Sequence, residues 1–168
     1  RGLGDVYKRH ALDSAMRQAP DIILVGEVRN EEEVDALLRA SETGHLTLST
    51  MHTKSAASTI NRIKSLYSGS DQLRVLASLS DVARGFANQV LVKDKQGGRF
   101  AVREVLSVDE EVSDLIASGD VAGIRHYQIE HEKTMEHGLA DAVLRGKCTL
   151  DEARRVSQYR GLFDSLIN

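Results

Sequence analysis

Residues 20–53 read PDIILVGEVRNEEEVDALLRASETGHLTLSTMHT, and this stretch decides the fold. It begins with a short, continuous, β-branched run from Ile22 to Val25, which is typical of a strand buried on both faces of a parallel sheet. Gly26 and Glu27 follow directly. Because open α/β folds place their ligands at the carboxyl edge of the sheet, Glu27 is the first candidate for chemistry.

A helix and a second strand follow in the same stretch. Asn30 with Glu33 three places on predicts a helix start, and Gly44 predicts its end. The run from Leu46 to Ser49 predicts the second strand, and a further helix is expected from about Ser55. The order strand, helix, strand, helix predicts a right-handed crossover and parallel pairing.

The flanking regions predict helices and one hairpin. Residues 1–18 favour a helix, with apolar residues at helical spacing: Ala11, Leu12, Ala15 and Met16. Another helix is expected from Asp71, with one apolar face made of Leu76, Leu79, Ala83 and Phe86. Residues 95–98, KQGG, lie between two apolar runs and predict a β-hairpin. From Asp109 onward we expect only short helices, with boundaries at Gly119, Gly146 and a Thr149–Glu152 capping box.

Composition excludes several classes of protein. The chain has 168 residues, 41% apolar and 28% charged, which is typical of a soluble globular protein rather than a disordered one. The net charge of -3 offers no general attraction to nucleic acid, and no apolar run approaches the roughly 20 residues that span a bilayer. The one cysteine, Cys148, excludes an internal disulfide and fits a reducing compartment. Because the sequence begins with Arg1 and no signal segment follows, two interpretations are open: a fragment of a longer protein, or a product of processing.

Two polar side chains are expected at the same sheet edge. Glu27 could accept a proton from a water held against a phosphate, or it could be an exposed residue at a strand end. His52 follows the second strand among hydroxyl side chains, and could sense a phosphate or serve only as a hydrogen-bonded structural residue. His45 lies at the opposite end of that strand, so it cannot share their site.

The sequence predicts neither a metal site nor a phosphate-binding loop. His126, His131 and His137 lie five and six residues apart, which does not place two of them on one helix face, and Cys148 has no companion cysteine. The pattern G-x-x-x-x-G-K-[ST] does not occur; the only Gly-Lys pair, at residues 146–147, is followed by cysteine.

Three runs, PDIILVGEVR, TGHLTLSTMHT and SAASTINRI, resemble successive motifs of the secretion and type IV pilus ATPases, especially the PilT-like retraction motors. The resemblance extends from about Ala11 to Val108 and continues more weakly to the end. It implies an α/β fold: the Walker B segment and histidine box of a RecA-like P-loop ATPase domain over residues 1–108, with a β-hairpin, followed by a helical subdomain over residues 109–168, here called the helical tail.

The resemblance also implies roles for individual residues. Glu27 corresponds to the Walker B glutamate that polarises the attacking water, and His52 to the histidine-box residue near the nucleotide phosphates, with Gly26 also close to the nucleotide. Three residues match positions with supporting roles: Arg29, His45 and Thr50. The implied ligands are ATP and Mg²⁺.

The sequence departs from the family pattern in three ways. The Walker A loop and aspartate box of the family lie upstream of the matched region, so we expect them before Arg1 and expect this chain alone to be inactive. Residues 111–116 read EVSDLI where the retraction branch has Ala-Ile-Arg-Asn-Leu-Ile. The tetracysteine zinc module of many assembly and export ATPases is also absent, which favours a retraction motor or a PilT-like secretion or conjugation ATPase.

The leading hypothesis is part of a hexameric ATPase that couples ATP hydrolysis to pilus retraction, secretion or conjugation. The resemblance implies a cytoplasmic protein, peripheral at the inner membrane of a bacterium, acting on a membrane platform protein. The alternative is a non-catalytic module that contributes only subunit contacts. Nucleic acid is not an expected partner, because the net charge is negative and no tryptophan is present to stack on bases.

Overall fold

The computed structural model describes residues 14–168. Residues 14–16 are helical, and the rest of the helix expected over residues 1–18 lies outside the described residues or is not helical. The strands are β1 (Ile22–Val25), β2 (Leu46–Ser49), β3 (Gly85–Lys93) and β4 (Arg99–Ser107). The helices are α1 (Glu31–Glu42), α2 (Ala56–Leu66), α3 (Asp71–Val82), α4 (Glu110–Ser118), α5 (Val121–Glu130), α6 (Met135–Leu144), α7 (Leu150–Val156) and α8 (Arg160–Ile167).

The strands β1 and β2 form a parallel pair, as the sequence predicts. Ile22 lies opposite Leu46, and Val25 lies opposite Ser49. The intervening α1 begins where expected, because the Asn30 side chain accepts a hydrogen bond from the Glu33 amide at 2.9 Å. The α/β class and the parallel pairing are therefore confirmed.

The prediction that β1 is buried on both faces is wrong for the described residues. Ile23 is buried against Ala36 and Ala40 of α1. The alternate residues Ile22 and Leu24 are 57% and 72% exposed, because α1 covers only one face of the two-stranded sheet. The apolar run does form a strand, but two of its four side chains, Ile22 and Leu24, are left largely exposed by the described residues.

The expected helix from Asp71 is confirmed as far as Val82, but its expected extension to Phe86 is wrong. α3 ends at Val82, and Phe86 lies in β3 rather than on a helix. The reason is the hairpin, whose antiparallel strands are each nine residues long and therefore extend well beyond the short apolar runs that predicted them. Ladder hydrogen bonds along the whole hairpin outweigh the helical spacing of one phenylalanine.

Two larger cores hold the rest of the described molecule together. One core is formed by the five helices α1 through α5 together with strand β4. Its largest fully buried residues are Ile60, Leu76, Leu106, Ile116 and Ile124. The other joins the hairpin to α6, α7 and α8, and includes Val92, Met135, Leu139, Cys148 and Phe163. Within the helical tail, the expected helix ends at Gly119 and Gly146 are confirmed, and both glycines have a φ of +71°.

The capping box expected at Thr149 forms only in part. The Thr149 hydroxyl accepts the Glu152 amide at 3.2 Å, but the Glu152 carboxylate turns away to the Lys93 amide of the hairpin and to Arg155. A tertiary contact has therefore replaced the local one. No helix within residues 14–168 is both long and apolar enough to cross a membrane.

Candidate functional site

The carboxyl ends of β1 and β2 bring Glu27 and His52 into contact. Because the strands are parallel, the loops that follow them leave the same edge of the sheet, and the Val28 amide donates to the Thr50 carbonyl at 3.0 Å. The Thr50 hydroxyl donates to the Gly26 carbonyl at 2.5 Å, which joins the two loops again. Across this junction His52 Nε2 lies 3.0 Å from Glu27 Oε1.

Arg29 contacts the other oxygen of the same carboxylate. Its Nη2 lies 2.5 Å from Glu27 Oε2, so Glu27 lies between a guanidinium and an imidazole. The Arg29 backbone amide donates to the Glu33 carboxylate at 2.7 Å, which fixes the start of α1 relative to the site. Glu33 was expected as a capping residue, and its carboxylate does reach back to the helix start, to the amide of the residue before the cap.

The site is open to a ligand. The side chains of His52 and Arg29 are 88% and 70% exposed, while that of Glu27 is 22% exposed. A Cβ on Gly26 would meet no heavy atom within 4 Å among the described residues. A carboxylate held on two sides at such an edge can accept a proton from a bound water, and the exposed imidazole can donate to an anion.

His45 lies outside this site, as expected from its place before β2. Its Nδ1 is 3.1 Å from the Ala40 carbonyl and 3.1 Å from the Thr43 hydroxyl, at the end of α1. These contacts make His45 a residue that closes the helix onto the strand. In the described geometry these contacts join His45 to the end of α1 rather than to Glu27 or His52.

Three residues that hold the His52 loop were missed by sequence reasoning. Asn88, Glu104 and Gln158 each bond the backbone just after His52, although they lie 35 to 104 residues away along the chain from the groups they contact. No local pattern could have found them, because only the tertiary fold brings these segments together.

The other titratable groups that were considered have local partners. His126 pairs with Glu130 at 3.2 Å, His131 stacks on Tyr127, and His137 contacts the Thr134 hydroxyl. Across residues 14–168, no group of three or more potential metal-binding side chains is present. Burial raises the pKa of the Cys148 thiol, which favours the unreactive protonated form.

A carboxylate and an imidazole at the carboxyl edge of a parallel α/β pair define a class of site that binds a ligand beyond the strand ends. A sequence profile of the family described as "Type II/IV secretion system protein" matches residues 2–93, more than half of the chain. The chain belongs to this family, within the superfamily of type II/IV secretion and pilus ATPases.

Similar proteins point in the same direction. A "Twitching motility protein" of Neisseria gonorrhoeae is 36% identical over 154 residues, covering 89% of this chain and 41% of the relative. The "Type IV pilus retractation ATPase PilT" of Pseudomonas aeruginosa is 41% identical over 112 residues, covering 67% of this chain and 33% of that protein.

The fold is also similar to a solved structure of the pilus retraction motor PilT with bound ADP. The TM-score is 0.83 at 34% identity, over 90% of this chain and 43% of that one. The Legionella pneumophila ATPase DotB gives a TM-score of 0.79 at 28% identity, over 89% of this chain and 42% of DotB. The chain thus spans about two fifths of the length of these two structures.

Proposed function

We propose that this chain is the Walker B and histidine-box part of a RecA-like ATPase motor that serves a pilus or secretion apparatus. The observation that carries the proposal is the 3.0 Å contact between His52 Nε2 and Glu27 Oε1 at the carboxyl edge of the parallel strands. Both residues lie in the segment that matches the family. The ADP bound to the related PilT motor supports a nucleotide as the ligand.

In this proposal Glu27 orients the attacking water and accepts its proton. Arg29 and His52 fix the carboxylate from two sides, so its orientation is set before the nucleotide arrives. ATP would be the substrate that supplies the phosphorus attacked by the water, and Mg²⁺ would neutralise charge on its phosphates. The open edge beside Gly26 fits a phosphate group, and the exposed imidazole of His52 can donate to it.

The whole protein's properties form part of the same proposal. The Walker A loop comes from sequence before Arg1, and residues 1–108 and 109–168 are the ATPase part and the helical subdomain. Six subunits form a ring in the cytoplasm, peripheral to the inner membrane, and pass movement to a membrane platform protein. The name of the similar type IV pilus retraction ATPase supports the part of this assignment that concerns a motor serving a pilus.

Substituting Glu27→Gln in the full-length motor tests the proposal. The amide cannot accept a proton from water, so we expect ATP turnover to fall by at least about 100-fold while the dissociation constant for ATP stays unchanged. Glu42→Gln, an exposed residue at the far end of α1, is the matched control and should keep normal turnover. Near-normal hydrolysis by the Glu27 variant would sink the assignment.

The alternative, a non-catalytic assembly module, is favoured by one observation. The pattern G-x-x-x-x-G-K-[ST] is absent from the 168 residues. Reading the encoding gene upstream of the Arg1 codon separates the two functions. A glycine-rich loop ending in Gly-Lys-Ser or Gly-Lys-Thr supports the motor, and an upstream region without one supports the module.

A further inference from the structure

The backbone that follows His52 is held by three side chains from later in the chain. The Thr53 carbonyl accepts from Asn88 Nδ2 at 3.2 Å, and the Lys54 carbonyl accepts from Gln158 Nε2 at 2.6 Å. The amide of Ala56, the first residue of α2, donates to Glu104 Oε1 at 2.7 Å. The segment that carries the imidazole is therefore fixed from the hairpin and from the helical tail.

Glu104 makes the connection between those two regions. It lies on β4, is 4% exposed, and its second oxygen accepts the amide of Met135, the first residue of α6, at 3.2 Å. One buried carboxylate thus bonds the first amides of two helices. Negative charge is favourable at both helix N-termini, and hydrogen bonds to an ionised acceptor are among the stronger ones in proteins.

The capping residues of both helices leave these two amides for Glu104. Ser55 accepts the Ser58 amide, and Thr134 accepts the His137 amide, so each cap satisfies the third amide of its helix rather than the first. A helix start buried without an acceptor for its first amide is costly. Glu104 satisfies that need twice with one side chain.

We propose that Glu104 is a positioning residue that ties the His52 loop to the helical tail, so that His52 keeps its distance to Glu27 only while this link is intact. The proposal rests on the proposed function of that site. A neighbouring carboxylate extends the link. Glu136, 1% exposed, accepts the amides of Gln158 and Tyr159 through one oxygen at 3.1 Å, which fixes the loop that reaches the Lys54 carbonyl.

Hydrogen exchange of Glu104→Gln tests the link without any enzyme assay. A glutamine has one accepting oxygen, and its NH₂ group would face the other helix amide, so one of the two bonds must break. The oxygen should stay with Ala56, whose bond is the shorter one, and the Met135 amide should exchange at least about tenfold faster. Amides in α3 should keep their rates.

Glu152→Gln is the matched control for that measurement. Glu152 also accepts a backbone amide, that of Lys93, but it connects the tail to the far end of the hairpin and does not contact the His52 loop. Exchange at residues 53–56 and at Met135 should be unchanged in this variant. Unchanged rates at Ala56 and Met135 in Glu104→Gln, or a uniform rise over the whole chain, would overturn the proposal.

Turnover in the full-length motor tests the effect on His52. We expect Glu104→Gln to lower kcat about tenfold with the KM for ATP unchanged, because the ligand still binds while the imidazole is misplaced. Combined with His52→Ala, it should lower kcat no further, since residues that act through one group are not additive. Additive losses would show that Glu104 contributes only general stability.

A milder variant tests the link in case Glu104→Gln does not fold. Gln158→Ala removes only the bond to the Lys54 carbonyl from a half-buried side chain, and should lower kcat in the same direction by a smaller factor. Unchanged kcat in both variants would contradict the link. If the wild-type motor hydrolyses no ATP, the proposed function fails, whereas the exchange rates still decide whether Glu104 joins the two regions.

Discussion

The sheet edge that carries Glu27 and the helical tail differ in how completely they are packed. In the tail, Leu139 and Phe163 are fully buried in a core shared with the hairpin. In the sheet, only Ile23 is buried against α1, and Leu24 on the opposite face is 72% exposed. Both regions are rich in aliphatic residues, so composition alone does not explain the difference.

The difference shows which region supports the other. Among residues 14–168 the candidate site lies on a two-stranded sheet with one covered face, and such a pair has little independent stability. The loop after His52 is instead fixed by Asn88, Glu104 and Gln158, which come from the well-packed hairpin and tail. The candidate site and the side chains that hold the loop after His52 therefore come from different parts of the sequence.

The largest expected effect comes from the same substitution made in each region. Leu139→Ala should lower the free energy of unfolding of the 168-residue chain by about 3 kcal/mol, because it leaves a cavity in a fully buried apolar core. Leu24→Ala should lower it by less than about 0.5 kcal/mol, because that side chain is already largely in water. Urea denaturation of both variants measures the contrast.

Equal losses of unfolding free energy in the two variants would contradict the difference in packing between the two regions. A loss of more than about 1.5 kcal/mol for Leu24→Ala would mean that something covers the open face of the sheet in solution. Repeating the pair of substitutions in a longer protein from the same gene would then show whether sequence before Arg1 provides that cover.

The fold was predictable where local patterns and tertiary contacts agree. The parallel pair β1 and β2, the caps of α1, the start of α2 near Ser55, and the hairpin turn at residues 95–98 all follow from residues close in sequence. The ends of the hairpin strands and the position of Phe86 did not, because they depend on pairing between segments that no local spacing describes. The prediction that Leu24 is buried failed for the same reason, because the sequence pattern does not show which element packs against each face of the sheet.

The candidate site was predictable in part. Parallel strands made it possible to expect Glu27 and His52 at one edge, and the structure brings them to 3.0 Å, while their roles stay predictions. Arg29 was recognised through family resemblance alone. The contribution of Glu104 could not be foreseen, because a single glutamate in a strand carries no signal until both helix starts are placed around it.

The two histidines that flank β2 are expected to differ in what they contribute. His52→Ala should lower ATP turnover of the full-length motor by about 100-fold with little change in stability, because an exposed donor to the ligand is lost. His45→Ala should keep normal turnover but lower the free energy of unfolding by about 1 kcal/mol, because the Ala40 carbonyl loses a partner. Assays of turnover and of thermal unfolding on both variants separate chemistry from packing. Normal ATP turnover in His52→Ala, or slow turnover in His45→Ala, would contradict the roles proposed for the two histidines at the ends of β2.

The smallest expected effect concerns acid stability of the packed region. The Arg155 side chain, together with the Lys93 amide, lowers the pKa of Glu152 to about 2 from an ordinary 4.5. A carboxyl whose folded pKa is depressed stabilises the protein above its unfolded pKa, and this contribution is lost as the pH falls through the folded value. Denaturation midpoints of wild type and Glu152→Gln should therefore differ by a constant amount above pH 4.5 and converge as the pH approaches about 2. A gap between wild type and Glu152→Gln that stayed constant down to pH 2 would mean that the bonds of Glu152 to the hairpin do not depend on its charge.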